Sequence, residues 1–333
     1  SRSKNIKSGW KTVLHILYVA GQSNDISLQT NAFGVLESIA VEHQTIFLAN
    51  LSDAVRCCLA FGANEINDDI SVRAVKFLLI ATESLVERQE EALIDRVHAI
   101  GNPITPTPRS SMANGVDHSE SDPVKVVSEQ EMALSWIPVL RGLSSLITDH
   151  RKEIRLLALD GLFDVLRAHG DHVFDRETWQ MVFRGVLCPL FDDIHDQLAD
   201  VLETNGPTVA ARSWATNTCL AAFTALVKLM DTHFSSLAFL LPNVMKLLTD
   251  CAQNQVECIA RIGVEGFKQF LLLCGGRMDS KQWCLVSKNV HQLIHDSMYF
   301  SFLITVPNEI QNLKILLGGA APTISLICEE DQK

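Results

Sequence analysis

The chain repeats one helical plan at a spacing of a little over forty residues, and that repetition limits the fold more than any other feature. Four segments that follow a polar break begin alike: NDISLQTNAFGVL from Asn24, NDDISVRAVKFLL from Asn67, DHRKEIRLLALDGLF from Asp149 and NQVECIARIGVEGF from Asn254. Each has a capping Asp or Asn, an aliphatic residue near the start, often an Arg close by, a small or slim residue four later and then a large apolar one. Leu28 and Val72 are 44 residues apart, while Ile154 and Ile259 are 105 apart, which leaves room for one further hairpin between them.

The stretch from Ser135 to Val173 displays the unit. Trp136, Leu140, Leu143 and Ile147 form one apolar stripe, and after a polar break Ile154, Leu157, Ala158, Gly161, Leu162, Val165 and Leu166 form a second. Glu153, Asp160, Asp164 and Arg167 fall on the opposite side of that second helix. Thr148 and Asp149 supply N-cap chemistry, Arg167 and His169 suit the helix dipole near the C-terminus, and Gly170 is expected to end the helix in a left-handed cap. Ile6, Trp10, Val13, Leu14 and Leu17 give an earlier helix; a partner from about Asp25 to Val41 turns Leu28, Ala32, Val35, Leu36 and Ile39 inward. Ile46 to Phe61 and Ile70 to Leu85 form the next pair, and Trp179 to Phe191 and Ala211 to Leu229 fill the later gap.

A period of about 40 to 47 residues with two helices in each is the mark of HEAT or armadillo arrays, in which every hairpin buries its face on its neighbours. The fold class expected is therefore all-α, a HEAT/armadillo-like helical-repeat solenoid. The starts at Asp25, Asp69, Asp149 and Asn254 also resemble the aspartate and following arginine of HEAT repeats. The expected division is a first block at 1–100, a linker at 101–128 containing four Pro among Ser, Asn, Asp and Gly, a second block at 129–298 and an unassigned tail at 299–333. A shorter acidic interruption falls at Asp192 to Pro207. The chain starts SRSKNIKSGW, without an initiator Met or signal peptide, and reads as an excised piece of a longer polypeptide.

Hydrophobic residues at 47% suffice for a large core, and a formal charge of −11 argues against a surface that seeks nucleic acid as a whole. Ser236 to Leu248, among the most apolar runs, is interrupted by Pro242, Asn243 and Lys246 well short of the roughly 20 residues a membrane span needs. The nine Cys are odd in number and never spaced as CxxC, so they read as reduced core residues of a cytosolic protein.

No catalytic constellation emerges. His291 and His295 stand four apart on a helix, yet the HExxH glutamate is missing and packing is the better reading. Cys251 and Cys258 share a face without a neighbouring His. The glycine pairs at 275 and 318 match no phosphate-binding loop, and Glu90 with Glu91, or Asp192 with Asp193, sit in solvated polar runs. No cofactor is indicated. The candidate contact surface consists of Lys4, Lys7 and Lys11 near the amino terminus, and Arg151, Lys152 and Arg155 at a helix start, with ordinary solvated helix ends as the competing reading.

The opening SRSKNIKSGWKTVL resembles the start of the first homology region downstream of the catalytic domain in large Arf guanine-nucleotide exchange factors of the brefeldin A-inhibited and Sec-seven class. SDAVRCCLAFGAN from Ser52 is similar to the same region, and the 135–173 stretch with ETWQMVFRGVLCPLFD resembles the second downstream region. Trp136, Arg155, Leu162, Phe163, Gly170, Trp179, Phe183 and Phe191 stand where that pattern has such residues. The resemblance implies a noncatalytic regulatory array. Its parent protein would promote nucleotide exchange on Arf at the Golgi and trans-Golgi network, and the array's partners would be an Arf-family GTPase, upstream domains of the same polypeptide and the Golgi membrane. A general HEAT scaffold unrelated to Arf, and an enzyme with a site around His291 and His295, are the alternatives.

Overall fold

The computed structural model describes residues 9–101, 129–194, 215–254 and 257–297. The expectations for Lys4, Ile6 and Lys7, for the linker beyond Gly101, for most of the acidic interruption and for the tail fall outside those residues. Among the described residues every regular element is a helix and none is a strand, so the all-α repeat expectation holds. In chain order the helices are α1 Trp10–Gly21, α2 Ile26–Glu42, α3 Gln44–Ala49, α4 Leu51–Gly62, α5 Asp68–Gly101, α6 Glu129–Leu146, α7 Lys152–Val173 and α8 Arg176–Val182, which runs on through a π-turn at Phe183–Leu187. After a second π-turn at Ala215–Cys219 come α9 Leu220–Thr232, α10 Phe234–Leu237, α11 Leu241–Ala252, α12 Glu257–Cys274 and α13 Ser280–Ser297. Two compact units result, Ser1–Leu190 and Phe191–Lys333, so the helices on either side of the expected linker share the first unit.

Within the first unit the repeat is visible as a fixed offset between parallel helices. Cys57 Sγ donates to the Leu14 carbonyl at 2.9 Å and Asn64 Nδ2 to the Gly21 carbonyl at 2.8 Å, both 43 residues apart, so α1 and α4 run side by side in one direction. Val55 and Leu59 of α4 then lie over Gly142 of α6, and Leu146 lies over Gly62. Ser144 Oγ of α6 donates to the Val186 carbonyl, 42 residues on. These helices make one layer. In the other, Phe33 of α2 meets Phe77 of α5 edge-on at 5.8 Å, and Leu79 of α5 covers Gly161 of α7. At Gly161 any Cβ would stand 2.6 Å from a Leu79 methyl, so glycine lets α5 and α7 approach closely without Leu79 having to shift.

The second hairpin buries most of what its pattern promised, Leu157 remaining half-buried. Trp136, Leu140, Leu143, Ile147, Ile154, Ala158, Leu162 and Leu166 are all inaccessible. Three aromatic rings close its end, Trp136 edge-on to Phe174 at 5.3 Å and Phe174 edge-on to Trp179 at 5.1 Å. Four local expectations are corrected. Gly170 does not end α7, which continues to Val173; a Cβ at Gly170 would stand 2.3 Å from Trp179, so this glycine is the notch that receives the indole. The cap of α7 falls at Arg151, not at Thr148 or Asp149, because Asp149 turns its carboxylate onto the Arg151 main-chain and side-chain nitrogens. Ile46 to Phe61 is broken at Asn50, whose Nδ2 donates to the Ile46 carbonyl at 3.0 Å. Leu28 and Val35 point outward, while Gln29, Ala32, Phe33, Leu36 and Ile39 carry the buried face of α2.

In the second unit α11 and α12 pack antiparallel, with Gly263 against the Ala252 backbone and Gly266 against Leu248. Phe191 packs on Phe223 at 4.6 Å. Arg277 pairs with Asp231 and lies 5.5 Å from the Phe234 ring, which ties the turn after α12 to the end of α9.

Candidate contact surface

The six nominated cations separate into different kinds. Arg151 sits in the turn between α6 and α7 with its side chain only 13% exposed. Its Nε and Nη2 hold both oxygens of Asp149 at 3.0 and 2.9 Å. Nη2 also donates to the Gly62 carbonyl at 2.7 Å, and Nη1 to the Asn64 carbonyl, Asp68 Oδ1 and Ser71 Oγ at 2.9 to 3.0 Å. Four of these partners belong to the α4–α5 turn, so the guanidinium staples consecutive repeats together. Its planar fork suits that task, because it satisfies several carbonyls and a carboxylate at fixed angles. Burial works to raise the Asp149 carboxyl, but the hydrogen bonds and charge of Arg151 outweigh it and hold the group below its usual range. Donating to the Asp149 carboxylate raises Arg151 in turn.

Arg155 is also internal, 5% exposed, with Nη1 donating to the Asp149 and His150 carbonyls at 2.9 and 2.7 Å. Burial lowers its affinity for a proton, opposed by the Asp149 charge. It closes the same turn from the side of α7. Lys11 at the start of α1 and Lys152 at the start of α7 are exposed. Lys4 and Lys7 lie outside the described residues. The structure therefore brings Arg151 and Arg155 together around Asp149, and it leaves Lys11 and Lys152 facing solvent on different repeats. The staple escapes a local reading because Gly62 and Asn64 are 89 and 87 residues away in the chain.

The buried cysteines show packing chemistry. Cys57 and Cys274 thiols are pushed up to about 12, mainly by burial, and burial raises Cys58 further. A hydrogen bond with Cys251, followed by burial, raises Cys219, and Cys251 donates to the Ile259 carbonyl at 3.4 Å. Thiols held protonated in this way are poor nucleophiles. His291 and His295 are exposed on α13, so the packing expected of this pair is corrected: both face solvent. Among the described residues no group of three or more His, Cys, Asp or Glu is placed to hold a metal ion, and no helix is long and apolar enough to cross a membrane. An open groove of about 360 Å³ between α3 and α5 is lined by charged and hydrogen-bonding groups, among them Gln44, Ser84, Glu87, Arg88 and Glu91.

The family described as GBF1-like, tetratrico peptide repeat region matches residues 136–271, and that described as Mon2/Sec7/BIG1-like, HDS matches residues 1–38. Brefeldin A-inhibited guanine nucleotide-exchange protein 3 of Arabidopsis thaliana is 29% identical over 85% of this chain and 16% of its own length, and protein 2 of the same plant is 28% identical with the same coverage. The ADP-ribosylation factor guanine nucleotide-exchange factor sec71 of Schizosaccharomyces pombe is 26% identical over 88% of this chain and 15% of its own. The chain thus spans about a sixth of the length of the curated relatives it matches. No solved structure matches. By sequence this chain is similar, over 85% of its length, to large brefeldin A-inhibited guanine nucleotide-exchange proteins, and its helical-repeat build agrees with the repeat region matched at 136–271.

Proposed function

We propose that this chain is a regulatory binding array within an Arf guanine-nucleotide exchange factor acting in Golgi and trans-Golgi trafficking. The observation that carries the reading is the similarity over 85% of the chain to proteins named as guanine nucleotide-exchange proteins. In this reading the array binds an activated Arf-family GTPase, and so controls autoinhibition of the parent protein and its recruitment to the membrane; exchange itself belongs to another part of the polypeptide. A segment outside a catalytic site regulates it only through a partner with different affinity for two states of the whole. A preference of about 100-fold for the GTP-bound partner supplies about 2.7 kcal/mol, enough to tip a balanced autoinhibited state without a large interface.

The exposed Lys11 and Lys152, together with Lys4 and Lys7, are the cations offered to an acidic GTPase surface or anionic lipid. Arg151 and Arg155 act indirectly, by fixing the turn from which Lys152 projects. The test is flotation of the purified chain with liposomes carrying Arf loaded with a GTP analogue or with GDP. Recruitment should favour the GTP analogue and fall at least tenfold when Lys7 and Lys11, or Lys152, are changed to Glu. Equal recruitment by both nucleotide states would remove the GTPase reading. Unchanged recruitment of every charge reversal would move the contact elsewhere, with the groove between α3 and α5 next to be tested.

A further inference from the structure

The second unit holds an open cavity of about 310 Å³ where the end of the helix that continues α8 meets the start of α9, the end of α11 and the start of α12. Its walls are apolar. Phe191 and Phe223 pack with ring centres 4.6 Å apart, each 5% exposed, and the half-buried Leu247 of α11 lies on the same lining. Two thiols complete it. Cys219, which ends the π-turn before α9, is hydrogen-bonded with Cys251, and Cys251 donates to the Ile259 carbonyl at 3.4 Å. The pair is engaged in packing bonds and presents a polarisable, uncharged surface to the cavity. Single π-turns of this kind collect at functional sites.

The charge on the lining has one sign. Among the described residues its charged groups are Asp192 and Asp250, both exposed at the mouth, and neither has an ion-pair partner there. A cavity of this size stands at the lower end of those that take small organic ligands, which combine apolar walls with a few polar groups that set orientation. Aromatic faces attract a cation through their quadrupole, and two carboxylates attract it through charge, whereas both disfavour an anion. A metal ion is not served, because among the described residues no three such ligands converge. We propose that this cavity binds a small amphiphilic amine, its apolar body against Phe191, Phe223 and Leu247 and its ammonium toward Asp192 and Asp250. The inference is independent of whether the chain binds Arf, and no GTPase enters its test.

Titration calorimetry of the purified chain compares three probes built on one aromatic body: phenethylamine, phenethyl alcohol and hydrocinnamate. Near neutral pH the first is a cation, the second neutral and the third an anion. The amine should bind about tenfold more tightly than the alcohol, and the carboxylate should not bind. Asp192→Asn with Asp250→Asn should reduce the amine to the affinity of the alcohol. Leu247→Trp should fill the cavity and abolish binding of both, with the circular dichroism spectrum unchanged because the position is only half-buried. Should that variant melt at a lower temperature, the aspartate variant still decides, since both its side chains are exposed. Equal affinity for amine and alcohol would overturn the proposal. So would amine binding that survives Leu247→Trp, or no heat of binding up to about 10 mM amine.

Discussion

The α4–α5 pair and the α1–α2 pair have the same plan and different surroundings. In α4 both flanks carry buried residues, Cys57 and Phe61 on one and Val55 and Gly62 on the other. In α1 and α2 Leu14 and Phe33, toward α4 and α5, are buried to a similar degree, while Ile16, Val19, Leu28 and Val35 are left in water. Sequence composition does not distinguish the two pairs; position in the array does. A repeat helix is therefore amphipathic only relative to the neighbours it has, and its apolar width marks how many it was built to meet.

Substitutions at matched places measure that difference. Phe61→Ala should cause the largest loss, about 4 kcal/mol, because it removes a fully buried ring that packs on Phe33 at 5.2 Å and fills the space beside Gly21. Val35→Ala, on the uncovered side, should stay within about 0.5 kcal/mol in this chain. Urea unfolding followed by circular dichroism reads both, and similar losses would mean that the outer face is covered after all. Arg151→Ala comes next, at about 3 kcal/mol, since it strands the nearly buried Asp149 carboxylate and frees four acceptors of the α4–α5 turn. Adding Asp149→Asn should recover part of that loss. A double variant no more stable than the single would show that the acceptors, not the charge pair, dominate.

The parts of this fold that could be read from the chain are those decided by neighbours within two turns. Asp25 was legible as a cap, and its Oδ1 accepts from the Ser27 and Leu28 main-chain nitrogens at 2.8 and 3.1 Å. The stripes of α6 and α7 were legible because strongly apolar residues recur on one side of each. Leu28 and Val35 were misread inward because α2 carries aliphatic residues around most of its circumference, and local periodicity cannot select the side that meets α5. Arg151 looked like a solvated helix end for a related reason: the acceptors that bury it come from the preceding repeat. Gly170 has the local character of a terminator, and only the approach of Trp179 from the next helix turns it into a packing notch. The contact surface was the least legible part, since nothing in the spacing of Lys11, Arg151, Lys152 and Arg155 separates a staple from an exposed cation.

The staple also gives the first unit an acid limb. The Asp149 carboxyl is held below its ordinary value of 3.8 in the folded chain, so the stabilisation it brings is complete above that value and is lost as pH falls through the lower folded value. The urea midpoint should therefore drop, as pH falls below 3.8, more steeply in the parent than in Arg151→Ala, where the shift has lost its cause. The comparison is made between the two proteins because other carboxylates titrate in the same window. Identical slopes would separate Asp149 from acid stability and leave Arg151 as a purely neutral-pH clamp.

The smallest effect expected is the most discriminating, because its sign depends on which side of the edge pair is touched. Gly34 lies inside α2, where alanine is intrinsically favoured by about 1 kcal/mol, and Gly21 is the last residue of α1, where the preference is weaker. At Gly34 an added Cβ meets nothing within 4 Å, so Gly34→Ala should stabilise the chain by about 0.5 to 1 kcal/mol through the unfolded state alone. At Gly21 the same methyl would stand 3.1 Å from Ala60 Cβ and 3.2 Å from the Phe61 ring, on the side where α1 lies against α4. Gly21→Ala should therefore lose the propensity gain to crowding and end about 1 kcal/mol destabilising. Thermal melts of the two variants need only resolve opposite directions. If both rise, α1 has room to move away from α4, and the contact between the first two repeats is looser than the hydrogen bonds at Leu14 and Gly21 imply.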